Sequence, residues 1–165
     1  MKISSLSAIL HALNHAGVKY LVVGGVAVNL LGYQRVTADI DLVIQLTDEN
    51  IQAALKTLAG LDYRPTVPEP IEAFADARKR LDWVKNRNMV VFQLRSPRFK
   101  DTSIDIFVEE PFNFDKEYLR AVEIKLDREL TIRLIDSATL IAMKQDIGRD
   151  KDRDDIHHLK LLLEE

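Results

Sequence analysis

The sequence predicts an α/β (α+β) protein: a small mixed sheet, flanking helices and a helical C-terminal extension. Three observations predict it. Short apolar runs bounded by glycine, proline or aspartate alternate with stretches of helical periodicity. Two of those runs, Asp39-Ile40-Asp41-Leu42 and Ser103-Ile104-Asp105-Ile106, alternate polar with apolar in the period of a strand. Beyond residue 136 only helical patterns remain. The 165 residues suit a single domain, since domains commonly hold roughly 100–200 residues. Residues 1–135 form its expected core and 136–165 the extension.

Ile3, Leu6, Ile9, Leu10 and Leu13 recur at helical spacing after Ser4 and Ser5, which suit a helix start; Gly17 ends that helix. Residues 20–23 are a short apolar run and read as a buried strand. Gly24-Gly25 opens a short helix that Gly32 closes. A second strand spans 39–44. A helix capped by Asp48 follows and stops at Gly60. Pro65, Pro68 and Pro70 mark a loop, and a charged helix is expected over 71–85. Strands are predicted near 89–94, 103–108, 122–126 and 130–134, with an irregular segment around Pro111. Helices over 137–147 and 151–163, broken at Gly148, complete the chain. No internal repeat or low-complexity tract interrupts this order.

Composition excludes several functions. Hydrophobic residues make up 47% and charged residues 30%, a balance that argues against disorder. There is no cysteine, so disulfides, cysteine zinc sites, iron–sulfur clusters and thiol nucleophiles are excluded. The net charge of -3 is not that of a polyanion binder. The longest apolar run, 20–28, is far short of the ~20 residues of a spanning helix. No membrane partner and a cytoplasmic location are therefore expected. Walker, dinucleotide and serine-elbow motifs are absent.

The informative stretch is Val23-Gly24-Gly25, then thirteen residues, then Asp39-Ile40-Asp41. Alternate strand residues share a face, so Asp39 and Asp41 point the same way, ~6.6 Å apart along the strand. Asp105 sits likewise between Ile104 and Ile106. If the two strands pair, three carboxylates converge. Like charges at close range raise one another's pKa, and a divalent cation removes that cost. Magnesium favours carboxylate oxygen and leaves positions for water and phosphates. The Gly-Gly turn permits close approach of a phosphate to backbone N–H groups at a helix start. The alternative for both strands is an ordinary amphipathic face, although strands are depleted in aspartate.

Gly24-Gly25 followed by Asp39-Ile40-Asp41, with a carboxylate on a later strand, resembles the signature of the nucleotidyltransferase superfamily with the polymerase β-like fold. Arg35-Val36-Thr37-Ala38-Asp39-Ile40-Asp41-Leu42 is similar to the version found in small bacterial and archaeal nucleotidyltransferases, including abortive-infection-type toxins. Leu140-Ile141-Ala142-Met143-Lys144, then Gly148-Arg149-Asp150-Lys151-Asp152 and Asp155-Ile156, resembles the closing motif of that group. The resemblance implies Mg²⁺-dependent transfer of a nucleoside monophosphate from an NTP to an acceptor hydroxyl, releasing pyrophosphate. The acceptor would be a tRNA end, a protein or a small molecule, and a cognate toxin or antitoxin is an implied partner. Asp39 and Asp41 would hold two Mg²⁺ ions, with Mn²⁺ as a substitute. Asp105 would ligate the catalytic metal and help deprotonate the acceptor. Gly24 and Gly25 would cradle the triphosphate. Lys144 would contact phosphates, and Arg35 would do likewise or pair with a carboxylate. Asp152 would orient the acceptor or anchor Arg149 or Lys151. The rival reading is a non-catalytic nucleotide- or partner-binding module on the same fold.

Other features have plainer readings. Arg78 to Lys100 holds eight basic residues and one acid, with Trp83 and Phe92 among them. It reads as a solvated helix and loop over core aromatics in preference to a nucleic-acid wall. The run 149–155 reads as a solvated junction laced with ion pairs. His11 and His15 read as surface residues. Leu159, Leu161, Leu162 and Leu163 either cover the core or form a dimer seam.

Overall fold

A single mixed sheet of seven strands organises residues 1–165, all of which are described by the computed structural model. In chain order the strands are β1 (Tyr20–Val23), β2 (Asp39–Ile44), β3 (Arg64–Pro65), β4 (Val91–Arg95), β5 (Ser103–Phe107), β6 (Val122–Lys125) and β7 (Thr131–Leu134). Their spatial order is β3-β4-β5-β2-β1-β7-β6. The apolar run of β1 is buried at every position, as its central place demands. In β2 and β5 the burial alternates: Ile40, Leu42, Ile104 and Ile106 are in the core, while Asp39, Asp41, Ser103 and Asp105 face the other way, partly open.

Helices α1 (Ile3–His15), α2 (Gly24–Leu31), α3 (Asp48–Gly60), α4 (Ala77–Arg87), α5 (Phe114–Arg120), α6 (Ser137–Ile147) and α7 (Asp150–Glu164) flank the sheet. Leu6, Ile9, Leu10 and Leu13 of α1 are buried, but Ile3 is exposed. Ser4 and Ser5 do not cap α1. Lys2 takes that place, and Ser5 instead donates to Asp101. The cap of α3 is Thr47, which accepts from the Asn50 N–H; Asp48 and Glu49 occupy the first turn, where they complement the helix dipole.

The helix expected over 71–85 is split. Ile71–Ala75 is a 3₁₀ turn, and Asp76 then caps α4 by accepting from the N–H groups of Arg78 and Lys79. A carboxylate that captures backbone donors this way competes with helix continuation. The segment after Pro111 is not wholly irregular: α5 lies within it, capped by Asn113. Gly148 ends α6 in the left-handed conformation and starts the bend into α7.

Trp83 stacks on Phe92 with ring centroids 5.1 Å apart, and Phe74 lies against Phe92 at 5.5 Å. The basic segment is thus anchored by core aromatics. Lys79 and Arg87 face Glu69, and Arg80 is buried, donating to the Phe74 carbonyl. Leu159 is in the core, while Leu161 and Leu163 stay exposed. No helix is long and apolar enough to cross a membrane.

Candidate active site

The sheet register assembles the acidic cluster. In the antiparallel β1–β2 pair Val23 stands opposite Asp41, so the turn that follows Val23 lies beside that carboxylate. In the parallel β2–β5 pair Asp41 lies beside Asp105 and Asp39 beside Ser103. Neighbouring strands are ~4.8 Å apart, which sets Asp41 and Asp105 side by side. Ser103 donates its hydroxyl to Asp39. Gln93 faces Asp105 from β4.

Gly24 has φ +65°, and a Cβ there would lie 2.0 Å from Asp41 Oδ2. The Gly25 N–H is close enough to Asp41 to favour its charged form. A Cβ on Gly25 would lie 2.7 Å from Thr37 Oγ1 and 3.0 Å from an Arg35 guanidinium nitrogen. The Gly-Gly turn is therefore closed on one side by Asp41 and on the other by Thr37 and Arg35. Gly24 begins α2, so both glycines lie in its first turn, where N–H groups have no helical partner.

The electrostatics are strained. Burial, then the charges of Asp105 and Asp39, push the Asp41 carboxyl up to about 7, against the Gly25 N–H. Burial also raises Asp105, with Gln93 opposing it. Asp105 Oδ1 is buried with no hydrogen-bond partner. Such a set suits a hard divalent cation, because every donor is a carboxylate oxygen. No three Asp, Glu or His side chains stand close enough to ligate one ion as they are placed.

Four cationic residues line the same cleft: Arg35, Lys144, Arg149 and Lys151. Lys144 differs from its expected role. Its ammonium lies 2.7 Å from Asp155 and 3.3 Å from Asp152, and the side chain is 5% exposed. Both aspartates are fully buried, so the run 149–155 is a solvated, ion-paired junction at its other five positions, while Asp152 and Asp155 belong to a buried charge network. Arg35 does pair with a carboxylate: its Nε is 2.8 Å from Asp155 Oδ1, close in distance but poorly aligned for a hydrogen bond. Asp152 anchors Arg149, accepting from its backbone N–H at 3.2 Å and its Nε at 2.8 Å. Burial alone would raise Asp152, but Arg149 and Lys144 prevail and hold it below the usual carboxylate range. Three cations thus share two buried carboxylates, leaving one positive charge in surplus on the cleft wall. Lys151 is exposed and tied to no carboxylate in the network.

Five residues that the sequence reading left without a role complete this arrangement: Thr37, Gln93, Ser103, Lys151 and Asp155. Thr37, Lys151 and Asp155 lie within the quoted motifs, and Asp155 also follows Asp152 by three residues, on one helix face; Gln93 and Ser103 carry no local signal. Two expected surface assignments hold. His11 bonds Asp127 on the surface, 3.0 Å away, and His15 is exposed.

The fold is that of a known structure. The chain is similar to the crystal structure of the lincosamide antibiotic adenylyltransferase LnuA with lincomycin bound, with a TM-score of 0.67, 18% identity and 98% of each chain covered. No curated protein sequence matches. The model of one family, "Nucleotidyltransferase of unknown function (DUF6036)", matches residues 2–164, and the chain belongs to that family of nucleotidyltransferases.

Proposed function

We propose that this nucleotidyltransferase moves a nucleoside monophosphate from an Mg²⁺-bound NTP to an acceptor hydroxyl and releases pyrophosphate. One observation carries the reading. The β1–β2–β5 register stacks the Gly24-Gly25 turn, Asp41 and Asp105 in a row, a phosphate seat beside an acidic pair.

Asp39, Asp41 and Asp105 are the residues to hold Mg²⁺ or Mn²⁺. Bound there, the cation supplies charge stabilisation at the phosphorus oxygens and offsets the carboxylate repulsion. The remaining work belongs to the chain. The free N–H groups at the start of α2 receive the terminal phosphates. Arg35, Arg149 and Lys151 offer positive charge along the cleft, where the leaving pyrophosphate gathers negative charge. Lys144 serves at one remove: it holds Asp152 and Asp155, which hold Arg149 and Arg35. Asp105 takes the acceptor proton as the acceptor oxygen bonds to the α-phosphorus. The bond from that phosphorus to the bridging oxygen breaks, and pyrophosphate leaves with its electron pair. Thr37 packs on Gly25 and fixes the loop that presents Arg35.

The test is thermal unfolding of wild type and Asp41→Asn with each NTP, with and without Mg²⁺, ATP first because the similar structure is an adenylyltransferase. A ligand at 100 times its Kd stabilises by about 2.7 kcal/mol. A Mg²⁺-dependent shift in wild type that the variant lacks, joined by pyrophosphate release once an acceptor is supplied, supports the enzyme. A shift without turnover over a broad acceptor panel supports the binding-module rival. No shift with any NTP, alone or with an acceptor, rejects the enzyme and a nucleotide-binding module and leaves a partner-binding one.

A further inference from the structure

The cleft does not end at the carboxylates. Phe107 at the end of β5, with Met143 and Ile147 of α6, also lines a second hollow of about 360 Å³. That volume is in the range of small-molecule sites. Its walls are mainly apolar: beyond the three shared residues it is lined by Met89 and Val90, ahead of β4. Val90 is 57% and Ile147 45% exposed, apolar surface that a ligand would cover. Two methionines give walls that adapt to an irregular shape.

The charge around the hollow has one sign. No lysine or arginine lines it, while Glu109 and Asp146 do, both exposed and so at its rim. Position also matters. The sheet order β1-β2-β5-β4 sets the Gly24 turn, Asp41, Asp105 and Gln93 in a row, and the hollow lies beside that row on the β4 side, two residues along β5 from Asp105 at Phe107. In-line displacement needs the acceptor opposite the leaving pyrophosphate. With the triphosphate at the glycine turn, the far side of Asp105 is the acceptor side.

We infer that this hollow seats the acceptor, and that the acceptor is a small molecule with a hydroxyl, an apolar body and a protonated amine. The inference rests on the nucleotidyl-transfer reading of the adjoining carboxylates. The body covers Met143, Phe107 and Val90. The ammonium meets Glu109 and Asp146 and stays protonated, so it is not the nucleophile. The hydroxyl reaches Asp105, which takes its proton; the new oxygen–phosphorus bond forms as the bond to pyrophosphate breaks. A rival seat for an RNA end lies near the start of β5, in a depression where Arg95 and Lys100 are offset by Asp39 and Asp101. It shares only Asp39 with the cleft, whereas the apolar hollow shares three residues.

The experiment uses the full chain and a panel of hydroxylated secondary amines with apolar bodies, each paired with its neutral N-acetyl derivative, plus carboxylated analogues and bulk tRNA. Binding is read as a thermal shift without nucleotide; transfer is read by mass spectrometry with each NTP and Mg²⁺. The expected result is at least tenfold tighter binding of amines than of their acetylated partners. That preference falls to under threefold in Glu109→Gln/Asp146→Asn. Met143→Trp, which fills the hollow, is expected to lose amine binding. Equal binding of amines and neutral partners, or a preference untouched by the double variant, overturns the inference. Labelling of tRNA with no small-molecule product overturns it in favour of the depression near the start of β5. The underlying reading fails separately: wild type would bind amines as expected yet show no NTP-induced shift.

Discussion

A Cβ on Gly24 would lie 2.0 Å from Oδ2 of Asp41. The first glycine of the turn therefore exists as much for the carboxylate as for any phosphate. Gly24→Ala forces Asp41 to move and adds strain at φ +65°; left-handed backbone alone costs an alanine roughly 1–2 kcal/mol. We expect a fall of about 100-fold or more in kcat/KM, as misplacing a reacting group by about 1 Å does. Gly17→Ala is the control, since its φ is +70° but nothing lies within 4 Å of the added Cβ. It should lose a few degrees of Tm and keep its activity. Equal activity loss in both variants would reject a site-specific role for Gly24.

The raised Asp41 carboxyl makes a prediction about stability. Its folded pKa, about 7, exceeds the ordinary 3.8 because burial and neighbouring carboxylates disfavour the anion. The folded state therefore holds a proton that the unfolded chain has released. The contribution is fully present below the unfolded value and is lost as pH rises through about 7. In EDTA the wild type should lose stability between pH 4 and 8, with a ceiling of about 4 kcal/mol from this group. Asp41→Asn removes the penalty and should be the more stable protein at pH 8, though not at pH 4. Urea melts at the two pH values check this, and the same difference at both would refute it.

Lys144 and Lys151 should separate cleanly in kinetics. Lys144→Met removes the buried ammonium that bridges Asp152 and Asp155, leaving each aspartate with only its arginine, and breaking a buried ion pair costs about 3–5 kcal/mol. Adding Asp155→Asn should return part of that stability. Lys151→Met touches no buried partner, so Tm should hold within about 1–2 °C. Its KM for the NTP should rise severalfold instead. If Lys144→Met melts like wild type while its KM alone rises, Lys144 is the phosphate ligand and the network reading is wrong.

Trp83 is the single tryptophan of the chain and is 1% exposed, stacked on Phe92. Phe92 neighbours Gln93, which stands opposite Asp105. Trp83→Ala should cost about 3–5 kcal/mol through the cavity it leaves. In wild type its fluorescence should shift to the red only in the global unfolding transition. A red shift at low urea, ahead of loss of helix signal, would show that α4 detaches independently.

Local sequence determined the parts with short-range causes. Period-two alternation put Asp39, Asp41 and Asp105 on polar strand faces, and Gly24-Gly25 marked the strand-to-helix turn that follows β1. Those residues were legible because strand geometry alone sets which side chains share a face. The burial of Trp83 and Phe92 followed from apolar character, whereas apolar character alone left Leu159 open between the core and a dimer seam. The Asp76 break and the seven residues of α5 were less legible, because a cap and a short helix are small local preferences that packing decides.

Tertiary structure alone decided the rest. That Asp41 lies beside Asp105, and Asp39 beside Ser103, depends on a parallel pairing of strands 64 residues apart, which no local period encodes. The same holds for Lys144. Its spacing to Asp152 and Asp155 was visible, but whether it faced a phosphate or two aspartates depended on how α7 folds back across α6. Burial turns that choice into energy, because a charge out of water must find its partner within the protein.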